Sequence, residues 1–158
     1  MIHVIIDVIL VVNNGPIKYS RINLDFGRGF YVTPIEEQAK NWSLKFKKKN
    51  KNAIVSIYIL DDNAFNDCKV LNFTSYSEEW LDFILNCRSG KDTTDYDIVM
   101  GGVANDKVFN TVELFFDGLI DKKETLKRLK YEKPNMQIAF RKQSVIDKYL
   151  SFERSFNL

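Results

Sequence analysis

Strand-like and helix-like segments follow one another irregularly along this chain, and that order limits its fold more than any other feature. Residues 2–12 read as a strand, ended by the turn-forming run Asn13-Asn14-Gly15-Pro16. Residues 25–33 read as a glycine-punctuated loop entering a short strand at Gly29-Phe30-Tyr31-Val32. Thr33-Pro34-Ile35-Glu36 then spells a helix start, with Thr33 as N-cap, Pro34 at N1 and Glu36 closing a capping box. Ala39, Trp42 and Phe46 carry on one apolar stripe of that helix. Residues 53–60 are β-branched and aromatic, which predicts a strand, and 69–73 predict another. Residues 75–87 predict a helix capped by Ser75 and Glu78, with Trp80, Phe83, Ile84 and Cys87 on one face. A strand over 96–103, a turn at 104–106 and a helix over 107–116 stopped by Gly118 come next. The remaining segments are a helix over 121–130 with Leu126 and Leu129 inward, a strand over 136–140, a helix over 144–150 and a last strand over 152–156. No regular βαβ rhythm runs through this order, so the expectation is an α+β fold and not a doubly wound sheet. With no repeat and no Ser/Gly/Pro linker, residues 1–158 are expected to form one domain.

Composition removes most familiar chemistries. Hydrophobic residues make up 45% and charged residues 28% of the 158, the balance of a globular protein with its own core. The two cysteines, Cys68 and Cys87, form no CxxC pair, and His3 is the single histidine. Zinc fingers, His-cluster metal enzymes and disulfide scaffolds are therefore excluded, and no metal is expected. A Ser–His enzyme would have to use His3 without any GxSxG motif. The apolar opening carries His3 and Asp7, lacks a basic flank and is too short to span a bilayer. A cytoplasmic protein with reduced thiols and no membrane partner is the expectation. A net charge of +2 implies no general attraction to nucleic acid. Lys45, Lys47, Lys48, Lys49 and Lys51 could touch an acidic partner or RNA, but cations also suit a helix C-terminus, and no aromatic–basic interleaving accompanies them.

Gly27-Arg28-Gly29 has neither the third glycine of a dinucleotide fingerprint nor the Lys-Ser/Thr of a P-loop. The longer string Leu24-Asp25-Phe26-Gly27-Arg28-Gly29-Phe30-Tyr31-Val32-Thr33, running into the capped helix, resembles the second motif of ADP-ribosyltransferases. In that superfamily a Gly-x-Gly-aromatic-Tyr-x-Ser/Thr segment opens a strand and helix beside the nicotinamide of NAD. The string is still more similar to a bacterial family of about this length assigned to the same superfamily. Residues 96–106, Tyr-Asp-Ile-Val-Met-Gly-Gly-Val-Ala-Asn-Asp, and Gln137-Ile138-Ala139-Phe140 look like that family too. The resemblance spans about residues 16–156.

It implies a split β-sheet with flanking helices that binds NAD, releases nicotinamide and passes ADP-ribose to a macromolecule. It also implies a bacterial toxin, paired with a cognate antitoxin or acting in phage defence. By resemblance Tyr31 stacks on nicotinamide, Thr33 sits beside it as the small hydroxyl, and Gly29 and Phe30 belong to the same NAD-binding segment. Arg21 and Arg28 flank the tyrosine motif, and arginine suits pyrophosphate oxygens through bidentate geometry. Gln137 falls where the superfamily's third motif places a glutamate. Glutamine accepts a hydrogen bond from a ribose hydroxyl but brings no negative charge to a developing cation, so Asp97, Asp106 and Glu113 are candidate carboxylates. The superfamily's first motif, a strand ending in His-Gly-Ser or His-Gly-Thr, should fall near residues 5–8, which here read Ile5-Ile6-Asp7-Val8. Two other functions fit the sequence: a catalytically impaired NAD-binding module of the same fold, and a nucleic-acid-directed protein acting through the lysine-rich helix.

Overall fold

Sequence alternation and backbone pairing build two sheets. The computed structural model describes residues 2–7, 17, 21–49, 52–104, 106–131 and 135–158, with the backbone alone for 2–7, 46 and 106. In the first sheet, β3 (Ile54–Leu60) lies between β1 (Ile2–Asp7) and β7 (Leu150–Asn157), both antiparallel to it. The second sheet runs β2 (Phe30–Val32), β6 (Gln137–Phe140), β5 (Ile98–Gly101), β4 (Val70–Asn72). Only its β4–β5 pair is parallel among the described strands. The helices are α1 (Glu36–Lys47), α2 (Ala64–Asp67), α3 (Glu78–Arg88), α4 (Asp106–Phe116), α5 (Lys122–Leu129) and α6 (Gln143–Tyr149). The mixed α/β architecture agrees with the α+β expectation.

Local chemistry explains several helix ends. The Thr33 hydroxyl accepts from the Ile35 N–H at 3.1 Å in a turn leading into α1, whose first helical bond runs from the Ala39 N–H to the Ile35 carbonyl, so the helix starts two residues later than the Thr33 cap predicts. Asp121 caps α5 by accepting from the Glu124 N–H at 2.8 Å. Gly118, at φ +73°, supplies the left-handed residue that ends α4. The cap of α3 differs from expectation: Ser77, not Ser75, accepts from the Trp80 N–H at 3.2 Å, so the helix starts later. The short α2 had no apolar stripe to announce it; it follows a turn in which Asp61 accepts from the Asn63 N–H. The first strand is seen over residues 2–7; its predicted continuation through 12 and the turn at 13–16 lie outside the described residues, as does Asn105 of the 104–106 turn.

Successive residues of the second sheet serve two different clusters, as a period of two requires. Phe30, Val32, Ile98, Ile138 and Phe140 pack with Tyr58 and Leu60 of β3 and with Val145 and Tyr149 of α6. Tyr31, Val99 and Ala139 turn the other way, onto Phe26, Trp80, Ile84, Val108 and Leu129. A third, smaller cluster joins Ala39 of α1 to Val55 and Ile57 of β3.

Candidate functional site

Pairing of β2 with β6 brings together residues far apart in sequence. Tyr31 lies opposite Ala139, so Gln137 is its diagonal neighbour on the same face, roughly 7–8 Å away. Both line a cavity of about 810 Å³, a volume that suits a small-molecule ligand. Gly29 sets how closely the two strands approach: a Cβ there would lie 2.9 Å from the Phe140 carbonyl oxygen. No side chain larger than hydrogen fits without moving backbone.

Tyr31 is 8% exposed, and its hydroxyl is already engaged. It donates to the Gly27 carbonyl at 2.5 Å and accepts from the Phe26 N–H at 3.0 Å. Gly27 allows that clamp because it sits at φ +77°. Burial pushes the Tyr31 phenol well above its ordinary value, so the group is a neutral wall and a hydrogen-bond bracket. What it offers the cavity is its ring.

Gln137 is 5% exposed, and its Nε2 donates to Asp25 Oδ2 at 3.3 Å. Asp25 also accepts from the Ala104 N–H at 3.4 Å, while Arg88 Nε and Nη2 converge on its other oxygen at 3.0 and 2.8 Å. Arg88 Nη1 reaches Glu113 Oε1 at 3.1 Å, and the guanidinium lies 4.8 Å from the centre of the Phe109 ring. One guanidinium thus holds two carboxylates, one from the loop before β2 and one from α4. Helical spacing places Phe109, Glu113 and Phe116 on one side of α4, all lining the cavity, while Val108 and Val112 face the core. Arg21, Lys49 and Arg88 set three cations in the cavity wall against those two carboxylates.

The residues singled out from the sequence divide cleanly. Tyr31, Gln137, Arg21 and Glu113 line the cavity. Thr33 is fully buried in the turn before α1, on the Tyr31 side of its strand. Phe30 points to the opposite face, where it meets the Tyr58 ring edge-on at 5.8 Å. Arg28 is exposed and is not among the residues that line the cavity. Asp97 stands at the far end of β5, about 13 Å along the strands from Gln137. There its carboxylate accepts from the Lys69 N–H at 2.7 Å and pairs with Lys142 at 2.7 Å. Burial opposes ionisation of Asp97, but Lys142 and the Lys69 N–H outweigh it and hold the carboxyl below its usual range. It clamps strand ends and does not reach the cavity. The Asp106 side chain lies outside the described residues.

Sequence reading had overlooked Asp25 and Arg88. Asp25 stands inside the glycine-punctuated string, but its partner is 63 residues away in the chain, and no local pattern links them. Among the described residues no group of three or more His, Cys, Asp or Glu is placed to hold a metal ion. No helix among them is long and apolar enough to cross a membrane.

A mixed α/β frame with a ligand-sized cavity over one sheet face defines the class of protein. Residues 8–152 match the family described as "Protein of unknown function (DUF3990)", and the chain belongs to that family. No curated protein and no solved structure matches it.

Proposed function

We propose that this protein is an ADP-ribosyltransferase-like enzyme that binds NAD in the cavity bordered by β2, β6 and α4. One observation carries the reading: Tyr31 and Gln137, the residues that the resemblance assigns to the nicotinamide and the ribose, are same-face neighbours lining one cavity. In the reaction the bond between the ribose C1′ and the nicotinamide nitrogen breaks, nicotinamide leaves with the electron pair, and positive charge builds on the sugar. The acceptor's nucleophile then bonds to C1′ and gives up its proton to solvent or a cavity carboxylate. The Tyr31 ring suits the flat leaving group, and Gln137 suits a ribose hydroxyl. Asp25 and Glu113 supply the negative charge that Gln137 lacks, in place of Asp97. Arg21 and Lys49 supply cations for the pyrophosphate. The two sheets suit the split-sheet architecture that the resemblance implies. A toxin role in the bacterial cytoplasm, with a cognate antitoxin and a protein or nucleic-acid acceptor, rests on the resemblance alone.

A second reading has its own observation. Both cavity carboxylates share the Arg88 guanidinium, which balances charge that would otherwise steady a sugar cation. A protein that binds NAD without cleaving it would keep this arrangement.

Proton NMR of the purified protein with NAD, with and without bacterial lysate, separates the two. The transferase reading expects free nicotinamide from wild type and none from Tyr31→Ala. Broadening of the NAD lines without release favours the binding module. Absence of both responses overturns the NAD assignment.

A further inference from the structure

The Gln137 amide carries an asymmetry that its surroundings impose. An ionised carboxylate can only accept hydrogen bonds, so Asp25 dictates that the amide turns its Nε2–H toward Oδ2. Asp25 cannot rotate away, because two N–H groups of Arg88 hold its other oxygen and Arg88 is itself anchored by Glu113. The opposite end of the amide, Oε1, then has no donor among the described residues, although the side chain is 5% exposed and lines the cavity. A buried acceptor without a partner costs free energy unless water or a ligand supplies the missing donor.

We propose that Asp25, anchored by Arg88, is a positioning residue that fixes the Gln137 amide with Oε1 as the acceptor offered to a ligand's O–H or N–H in the cavity. The inference rests on the function proposed above for its ligand, a ribose hydroxyl of NAD, while the polarity of the amide belongs to the free protein. Asp25 does not touch the ligand in this scheme; it chooses which end of Gln137 does.

Reversing that choice tests it. In Asp25→Asn the Arg88 donors still hold the side-chain carbonyl oxygen, so the new N–H₂ faces position 137 and gives up the long 3.4 Å bond from the Ala104 N–H. Gln137 must then turn its Oε1 to that donor and its Nε2 to the cavity, which offers a donor where an acceptor stood. Gln137→Glu alone sets two carboxylates about 3.3 Å apart, so one of them must take up a proton. The double variant Asp25→Asn/Gln137→Glu restores an acceptor toward the cavity, because the Asn N–H₂ donates to one Glu oxygen and leaves the other.

NAD affinity should fall at least about tenfold in each single variant and return to within about threefold of wild type in the double variant. A merely structural Asp25 would give additive losses, and losses that add overturn the proposal. The side-chain amide signal of Gln137 in the ¹⁵N-labelled full-length free protein, assigned by its disappearance in Gln137→Leu, gives a reading that needs no ligand. A marked shift of that signal in Asp25→Asn supports the positioning, and an unchanged signal overturns it. Wild type that fails to bind NAD would sink the proposed function, with the amide signal still deciding the role of Asp25.

Discussion

The two faces of the β2-β6-β5-β4 sheet are made by alternate residues of the same strands, yet they do opposite things. On one face Phe30, Val32, Ile138 and Phe140 pack with Tyr58 and Leu60 of the other sheet, Ala64 of α2 and Val145 and Tyr149 of α6. On the other face Tyr31 and Gln137 stand beside an open cavity, where the Tyr31 hydroxyl and the Gln137 Nε2 are held by other parts of the chain while the Gln137 Oε1 has no donor among the described residues. The first face holds the two sheets together. The second relies on that rigidity to keep a Gln amide, a carboxylate and a guanidinium within hydrogen-bonding distance.

If this division is right, damage to the two faces should differ in kind. Phe140→Ala, at a fully buried ring, should cost about 3–5 kcal/mol in urea unfolding. A loss below about 1 kcal/mol would mean that the packed face is not the main core. Tyr31→Phe leaves the Phe26 N–H and the Gly27 carbonyl without their bracket and should cost about 1–2 kcal/mol in the same assay.

Acid should act through Asp92, in the loop after α3. Burial works against ionisation of Asp92, but hydrogen bonds from Thr94 and the Arg141 guanidinium outweigh it and hold the carboxyl below its usual range. A depressed folded value means that its contribution is complete above the unfolded value, near pH 4, and is lost as pH falls through the folded one. Asp92→Asn should therefore flatten the acid limb of stability against pH by an amount on the order of 1 kcal/mol. Thermal melts between pH 3 and 7 would read the difference, and an unchanged slope would remove Asp92 from the account.

Gln137→Leu should move stability least, within about 1 kcal/mol, because Asp25 keeps its bonds from Arg88 and Ala104. A large destabilisation there would erase the contrast between the faces. The same variant should abolish NAD binding if the proposed function holds.

How much of this could be read from residues alone follows the range of the forces involved. Helix α5 and β3 were legible, since their signals are local: an apolar stripe and a run of β-branched residues. The cap of α3 was misplaced by two residues because Ser75 and Ser77 both precede the helix and only the fold chooses between them. Within the site, Tyr31, Gln137 and Glu113 were legible, while Phe30 was placed beside the ligand although alternation sends it to the packed face. Alternation says that neighbours point apart; it does not say which of them meets the cavity. The Asp25–Arg88–Glu113 cluster was invisible for a different reason, since its members come from a loop and two helices that only tertiary structure brings together.

Among the described strands β2 pairs only with β6, so Tyr31 waits for residues 137–140 to complete its sheet. A ribosome making this protein releases the tyrosine strand, residues 30–32, well before the glutamine strand, residues 137–140. Until then the nascent chain holds half a binding site with no second wall, and contacts so distant in sequence are among the slowest to form. Whatever the cavity does, a chain translated only as far as β5 cannot do it, because its glutamine wall has yet to be made.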